Sequence, residues 1–365
     1  MNPMQVIHTA DFKKIVLDKT SVIDVRAPIE FSQGRIPGAV NLPILSDEHR
    51  HNIGVIYKQQ GPDAALQRGH ELVSGADRAQ MIDRWKNFIL QNKNTVITCF
   101  RGGQRSQITQ NWLQEAGVVS PRIDGGYKAF RQYLTDEITR LSSQPMLVIS
   151  GPTGSGKTKL ITRAKSFRPA VDLEALAHHR GSAFGQHSDP QPAQADYENQ
   201  LAYELIRLEA SENFLPLVIE DESRMIGKTA QPAHFFDQLR ASPLIYLEEP
   251  VESRAQVILE EYILDLSPPE RAKAYLRYEK ALNMISTKLG GARHQELQCD
   301  LANAIHISTN DNDFLAHKIW IEKLLHWYYD PLYLKSFERR NPNVIFRGSR
   351  AAAETFLRSA ILKDL

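Results

Sequence analysis

Apolar residues fall into two rhythms along the first part of this chain. Short, near-continuous apolar runs at 21–25 and 95–99 fit strands buried on both faces. Between them Met81, Ile82, Trp85, Phe88 and Ile89 recur at helical spacing and predict a helix over 76–91. A further helix is predicted over 104–116, stopped by Gly117. Strand and helix in alternation predict a parallel sheet. Gln144-Pro145 then interrupts the pattern and places a domain boundary near 141–145.

The alternation resumes beyond that break. A strand at 146–150 is followed by helices at 156–165 and 197–210. Strands at 217–219 and 244–247 precede long helices from 251 to about 289. Residues 304–308 read as a last strand and 314–327 as a last long helix. The chain thus divides into an α/β domain over 12–138, a second α/β domain over 145–330, and a basic C-terminal extension over 331–365. In that extension Lys335, Arg339, Arg340, Arg347, Arg350, Arg358 and Lys363 stand against Glu338 and Glu354, with Phe337, Phe346 and Phe356 interleaved. Such a mixture suits RNA phosphates and stacked bases, with Arg339 and Arg340 as candidate contacts.

Composition narrows the class. A chain of 365 residues is too long for one core, and 42% apolar with 24% charged residues is a globular balance. A formal charge of +1 excludes a general polycation and leaves room for a local basic face. Cys99 and Cys299 are too far apart for metal-type spacing, which points to a reducing compartment and thiolate chemistry. Residues 1–12 lack a signal pattern, and no run reaches membrane-spanning length. A cytoplasmic, monomeric protein with no membrane association is expected.

The candidate chemistry sits in two loops. In Cys99-Phe100-Arg101-Gly102-Gly103-Gln104-Arg105-Ser106, a strand ends at the cysteine and a helix starts just beyond it. Backbone N–H groups and the positive end of the helix dipole then converge on one point and favour a nucleophilic thiolate, more so beside Arg101 and Arg105. Gly102 and Gly103 permit the backbone of an anion cradle. Five residues separate Cys99 from Arg105, a ring that suits a tetrahedral, phosphate-sized anion.

The second loop, Gly151-Pro152-Thr153-Gly154-Ser155-Gly156-Lys157-Thr158, follows an apolar strand and matches the P-loop in residues and context. Gly151, Gly154, Ser155 and Gly156 shape a cradle for a diphosphate, Lys157 neutralises it, and Thr158 is placed to ligate Mg²⁺. Glu220 and Asp221, at the end of the 217–219 strand, are candidates for orienting a metal. His178, His179 and Arg180, in a polar, glycine-rich stretch, are candidate substrate contacts. Tyr57-Lys58-Gln59-Gln60-Gly61 reads as another loop, and Cys299 as an inert cysteine on a helix.

Family resemblances attach to these residues. The cysteine loop, with Asp24-Val25-Arg26, Gly34-Arg35-Ile36-Pro37-Gly38-Ala39-Val40-Asn41 and Asp124-Gly125-Gly126-Tyr127, resembles a rhodanese domain. The phosphate loop is similar to that of tRNA dimethylallyltransferases, in which a P-loop fold serves a prenyl diphosphate. From Asp24 to Gly227, through Glu220-Asp221-Glu222-Ser223-Arg224-Met225-Ile226, the chain resembles the tRNA 2-selenouridine synthases. Phe100 departs from that family, which carries tryptophan there.

The last resemblance implies an N-terminal rhodanese-like parallel-sheet domain followed by a P-loop NTPase-like α/β domain. It implies a selenotransferase that converts wobble 2-thiouridine in the tRNA anticodon arm to 2-selenouridine with selenophosphate. The route passes through S-geranyl-2-thiouridine made from geranyl diphosphate. Cys99 would receive or present the selenium, for instance as a selanyl-cysteine, and no tightly bound cofactor is implied beyond Mg²⁺. The residues also suit a cysteine-dependent phosphatase fused to a nucleotide-binding domain, or a nucleotide-regulated RNA-binding protein without catalysis.

Overall fold

The computed structural model describes residues 5–211 and 216–359, so Lys363 lies outside the described residues. The chain forms two compact units. One runs to Leu141 and includes Pro192–Ala210; the other comprises Ser142–Gln191 and the chain from Ser211 onward.

The first unit holds β1 (Val6–Ile7), β2 (Val22–Asp24), β3 (Val40–Asn41), β4 (Val96–Thr98) and β5 (Arg122–Ile123) in one sheet of order β1-β5-β4-β2-β3. Every pairing is parallel. Both central strands are buried along their whole length, as their continuous apolar runs require. Trp85, on the helix Gly75–Gln91, is buried against this sheet and donates from Nε1 to the carbonyl of Leu42 at 2.9 Å.

The triplet Asp24-Val25-Arg26 has a structural role. Arg26 is 1% exposed, donates to both carboxylate oxygens of Asp24 and to the carbonyl of Gly34 at 2.7 Å, and lies 4.0 Å from the Tyr127 ring centre. A buried guanidinium is tolerable only when paired in this manner.

The helix Gln194–Glu209, read from sequence as part of the second domain, belongs to the first unit. Asp196 accepts from the N–H of Arg35 at 2.8 Å, Asn199 donates to the Arg35 carbonyl at 2.7 Å, and Arg131 pairs with Glu198. Periodicity identifies its apolar face, but not which core that face meets. Two helices, Asp47–Gln60 and Pro62–Leu72, are inserted after β3, so Tyr57 stands on a helix and not in a loop.

The second unit carries β6 (Met146–Ser150), β7 (Ala170–Val171), β8 (Leu217–Glu220), β11 (Leu244–Leu247) and β12 (Val344–Gly348) in the order β12-β11-β6-β8-β7. All are parallel, and a small antiparallel hairpin joins β9 (Met225–Ile226) to β10 (Thr229–Ala230). The phosphate loop leaves the C-terminal end of the central strand β6. Strand order reverses there, where ligands bind in open parallel sheets.

Three expectations from sequence are corrected in this unit. Residues 304–308 lie within the helix Gly291–Asn310, whose buried Leu297, Leu301, Ala304 and Ser308 follow helical spacing. The 314–327 helix is His317–Leu324 followed by a π-helical turn, Leu325–Tyr329. The presumed extension is part of the fold. β12 pairs with β11, and the helix Arg350–Arg358 buries Ala353 and Leu357 against Leu160 and Ile161. Burial of a leucine contributes about 1.5–3 kcal/mol, so this segment helps hold the sheet. No helix among the described residues is long and apolar enough to cross a membrane.

Candidate active sites

Each unit positions one anion-binding loop. In the first, Cys99 follows β4 and is 3% exposed. Gly103 caps the helix Gln104–Glu115, so the helix N-terminus faces the cysteine. The Cys99 thiol lies 3.3 Å from Ser106 Oγ, which itself donates to the Gly103 carbonyl at 3.0 Å.

The loop is braced from behind by the Asp124–Tyr127 turn. The N–H of Tyr127 donates to the Cys99 carbonyl at 2.8 Å and that of Lys128 to the Phe100 carbonyl at 2.9 Å. Arg122 donates to the Gly102 carbonyl at 2.8 Å. Gly102 has φ +65°, and a Cβ there would lie 2.8 Å from the Ile123 carbonyl. Gly126 has no room for one either, since it would strike the carbonyl of Cys99. Carbonyls are thus tied back, while no backbone bond among the described residues uses the N–H groups of Phe100, Arg101, Gly102 or Gly103. That is the arrangement of an anion cradle.

Arg105 is held by Glu30, with contacts of 2.5 and 3.1 Å. Burial works against the Glu30 carboxylate, but bonds from Arg105 and the Ala27 N–H hold it below the ordinary range. Arg101 is exposed at the rim, 5.9 Å from the Phe100 ring centre. Glu30 escaped the sequence reading because 75 residues separate it from Arg105.

In the second unit Gly151, Gly154 and Gly156 take φ of +152°, +81° and +79°, which only glycine adopts at low cost. Lys157 opens the helix Lys157–Ala164 and donates to the Gly151 carbonyl at 3.2 Å; Ser155 is fully buried beneath the loop. Arg254 fixes the loop from the side. It donates from Nε to the Thr153 carbonyl at 2.9 Å and forks onto Asp330 at 2.6 and 3.1 Å. Arg350 packs against Gly156, so a residue expected to contact RNA is built into the loop's surroundings.

Carboxylates gather beside Thr158. Its Oγ1 lies 3.2 Å from Glu174 and 3.5 Å from Glu220, which also accepts from the Glu174 N–H at 2.8 Å. Burial, then repulsion from Glu222, pushes Glu174 up to about 8. Burial and the neighbouring Glu174 also raise Glu220. Asp221 is a correction: it points elsewhere, accepting from Ser150 Oγ at 2.5 Å and from Arg340 at 2.6 Å. Alternation along an extended chain explains this, since neighbours face opposite ways while Glu220 and Glu222 share a side. Arg340, expected as an RNA contact, is therefore a buried ion-pair partner.

Of His178, His179 and Arg180, only Arg180 lines the cavity over the phosphate loop, its guanidinium 4.8 Å from the Tyr262 ring centre. His178 stacks on His187 at 4.5 Å, and burial followed by the charge of Arg180 brings His187 down to about 4. The cavity has about 100 Å³ of free space and includes Lys157, Thr158, Glu174 and Glu222 in its walls. Beside it is a narrow apolar pocket walled by Phe184, Trp320, Ile321, Leu324 and Tyr329. Thr153, Ser182, Ile258 and Tyr262 line both spaces. The π-helical turns Glu260–Leu264 and Leu325–Tyr329 supply Tyr262 and Tyr329, a placement the sequence does not signal.

Residues 8–133 match the model of the rhodanese-like domain, and residues 144–363 that of the tRNA 2-selenouridine synthase AAA domain. Full-length similarity extends to proteins named tRNA 2-selenouridine synthase. The Nitrosomonas eutropha protein is 48% identical, over 93% of this chain and 94% of its own. That of Bdellovibrio bacteriovorus is 46% identical, over 95% and 97% respectively.

Proposed function

The chain belongs to the tRNA 2-selenouridine synthase family, which modifies tRNA by selenium transfer, and on that premise we propose a two-step route through a prenylated base. In the first step geranyl diphosphate alkylates the sulfur of wobble 2-thiouridine. In the second, selenium from selenophosphate replaces the alkylated sulfur.

The observation that carries this reading is the apolar pocket beside the phosphate cavity, with which it shares Thr153, Ser182, Ile258 and Tyr262. A cationic, polar space beside an apolar one is the chemistry of a diphosphate joined to a hydrocarbon chain. Phe184, Trp320, Ile321 and Leu324 suit the chain, at about 0.8 kcal/mol per buried CH₂, and give a nucleoside's polar edges no partners.

The sulfur attacks C1 of the geranyl group, the C1–O bond breaks, and diphosphate leaves with the electron pair as the base loses its N3 proton. Lys157 and the loop N–H groups stabilise the charge that develops on the leaving oxygen. Mg²⁺ bound to diphosphate would add Lewis-acid stabilisation, and Thr158 with Glu174 and Glu220 would hold it. Among the described residues no three His, Cys, Asp or Glu side chains are grouped to bind a metal alone. A Mg²⁺ ion ordinarily takes one or two carboxylates and shares the substrate's phosphates, and the crowded carboxylates beside Thr158 suit that role.

At the other loop the Cys99 thiolate attacks the phosphorus of selenophosphate, and the P–Se bond breaks to release hydrogen selenide anion. That anion attacks C2 of the alkylated base. The C2–S bond breaks, and geranylthiolate departs with the electron pair and takes up a proton. Water then hydrolyses the phosphocysteine to phosphate and the free thiol. Cys99 takes the phosphoryl group and frees the selenium in this scheme, so no selanyl-cysteine forms and no reductant is needed. The five-residue ring and the uncommitted N–H groups support an anion of phosphate size.

The test uses purified protein, Mg²⁺ and an anticodon-arm RNA bearing 2-thiouridine, with geranyl diphosphate and no nucleotide. S-geranyl product should form, and added selenophosphate should convert it to 2-selenouridine. A strict requirement for ATP in the first step would overturn the assignment of the phosphate loop.

A further inference from the structure

A second apolar space lies in the first unit. An open cleft with about 100 Å³ of free space is walled by Ile44, Leu45, Ile53, Val73, Ile108 and Trp112. Its polar end is formed by Gln104 and Arg105, the first residues of the helix that faces Cys99. Ile44, Leu45, Val73 and Trp112 belong to the same buried cluster as Cys99 itself.

An apolar groove left uncovered is a mark of ligand or partner binding. Here the space is built by the inserted helices Asp47–Gln60 and Pro62–Leu72, and Tyr57, 57% exposed, stands at its edge. Gly69 lines it from within a helix, where glycine is unfavourable. A Cβ at Gly69 would meet only Ile53, at 3.6 Å, so the missing side chain keeps the cleft open.

We propose that this cleft holds the hydrocarbon chain of the S-alkylated base while selenium replaces sulfur. The inference rests on the prenylated intermediate proposed above and adds a second chain-binding site, in the selenium-transferring unit. Hydrogen selenide forms a bond to C2, the C2–S bond breaks, and the thiolate leaves with the electron pair, still attached to its chain. With the chain in the cleft, the sulfur lies at the Gln104–Arg105 end, beside the N-terminus of the helix Gln104–Glu115, whose dipole meets the developing negative charge. Alkylation thereby supplies both a leaving group and a handle.

The experiment compares anticodon-arm RNAs carrying S-methyl, S-geranyl or S-farnesyl 2-thiouridine, each given selenophosphate. The wild type should convert the S-geranyl RNA at least about tenfold faster than the S-methyl RNA, for hydrophobic chain burial is graded by length. Gly69→Leu, which fills the cleft, should erase that preference while S-methyl conversion and the geranylation step stay unchanged. Ile53→Ala, which widens it, should move the preference toward S-farnesyl. An unchanged order of substrates in both variants would overturn the proposal, and so would a wild type indifferent to chain length. Should Gly69→Leu lose all activity, the Ile53→Ala order decides. A wild type that selenates only unalkylated 2-thiouridine RNA would refute the prenylated intermediate and the cleft assignment together.

Discussion

Arg340 donates from Nη1 to Asp221 at 2.6 Å, and the two side chains are only 7% and 8% exposed. Asp221 also accepts from Ser150, at the end of the strand that launches the phosphate loop. An arginine from late in the chain is therefore fixed to the C-terminal end of the second unit's sheet, where the phosphate loop begins.

This contact separates two adjacent arginines that look alike in sequence. Arg340→Glu sets a like charge against the buried Asp221, whose other cation, Arg240, stands 3.5 Å away, and should cost about 3 kcal/mol of stability. Arg339 is exposed, and Arg339→Glu should stay within about 0.5 kcal/mol of the wild type. Urea titration of both variants gives the comparison. Equal midpoints would show that the Arg340–Asp221 pair does not hold the unit together.

Much of the site was legible because its signals are local. The phosphate loop, the cysteine loop and the strands ahead of them each occupy a few consecutive residues of distinctive type. What escaped was set by partners far along the chain. Glu30 holds Arg105, Arg254 braces Thr153, and the helix Gln194–Glu209 packs with residues more than a hundred positions earlier. Ile305 and Ile307 imitate a strand locally, yet Leu297, Leu301 and Ala304 commit the segment to a helix. Basic residues after 331 read as an RNA-binding face, although Arg340 and Arg350 serve interior surroundings.

Lys157→Ala removes the cation best placed to neutralise departing diphosphate. Geranylation should fall by roughly 10²–10³-fold, the loss typical of removing one such electrostatic contact. Selenation of RNA supplied already geranylated should be retained, since it uses the other loop. Mass spectrometry of the RNA nucleosides separates the two steps, and loss of both would show that Lys157 acts beyond geranylation.

Acid should weaken the second unit through His317. Trp320 donates to its Nδ1 at 3.0 Å, so the other ring nitrogen carries the proton and meets Ser308 at 3.2 Å and Tyr275 at 3.3 Å. Burial, with a smaller contribution from Arg271, brings its pKa from 6.5 down to about 4. Between those values the unfolded chain binds the extra proton and the folded chain does not. Stability should therefore fall as pH drops from 6.5 to 4, by about 3 kcal/mol for this group, and level off below. Denaturation followed against pH should show a shallower slope in His317→Gln; an identical slope would exclude His317 as the source.

The central claim is a division of labour between the two loops, and Cys99→Ser tests it most directly. The variant should be incubated with 2-thiouridine RNA, geranyl diphosphate and selenophosphate, and its wobble nucleosides measured by mass spectrometry. The account predicts that S-geranyl-2-thiouridine accumulates at close to the wild-type rate while 2-selenouridine is undetectable. Undiminished 2-selenouridine, or loss of geranylation with the cysteine, would contradict it.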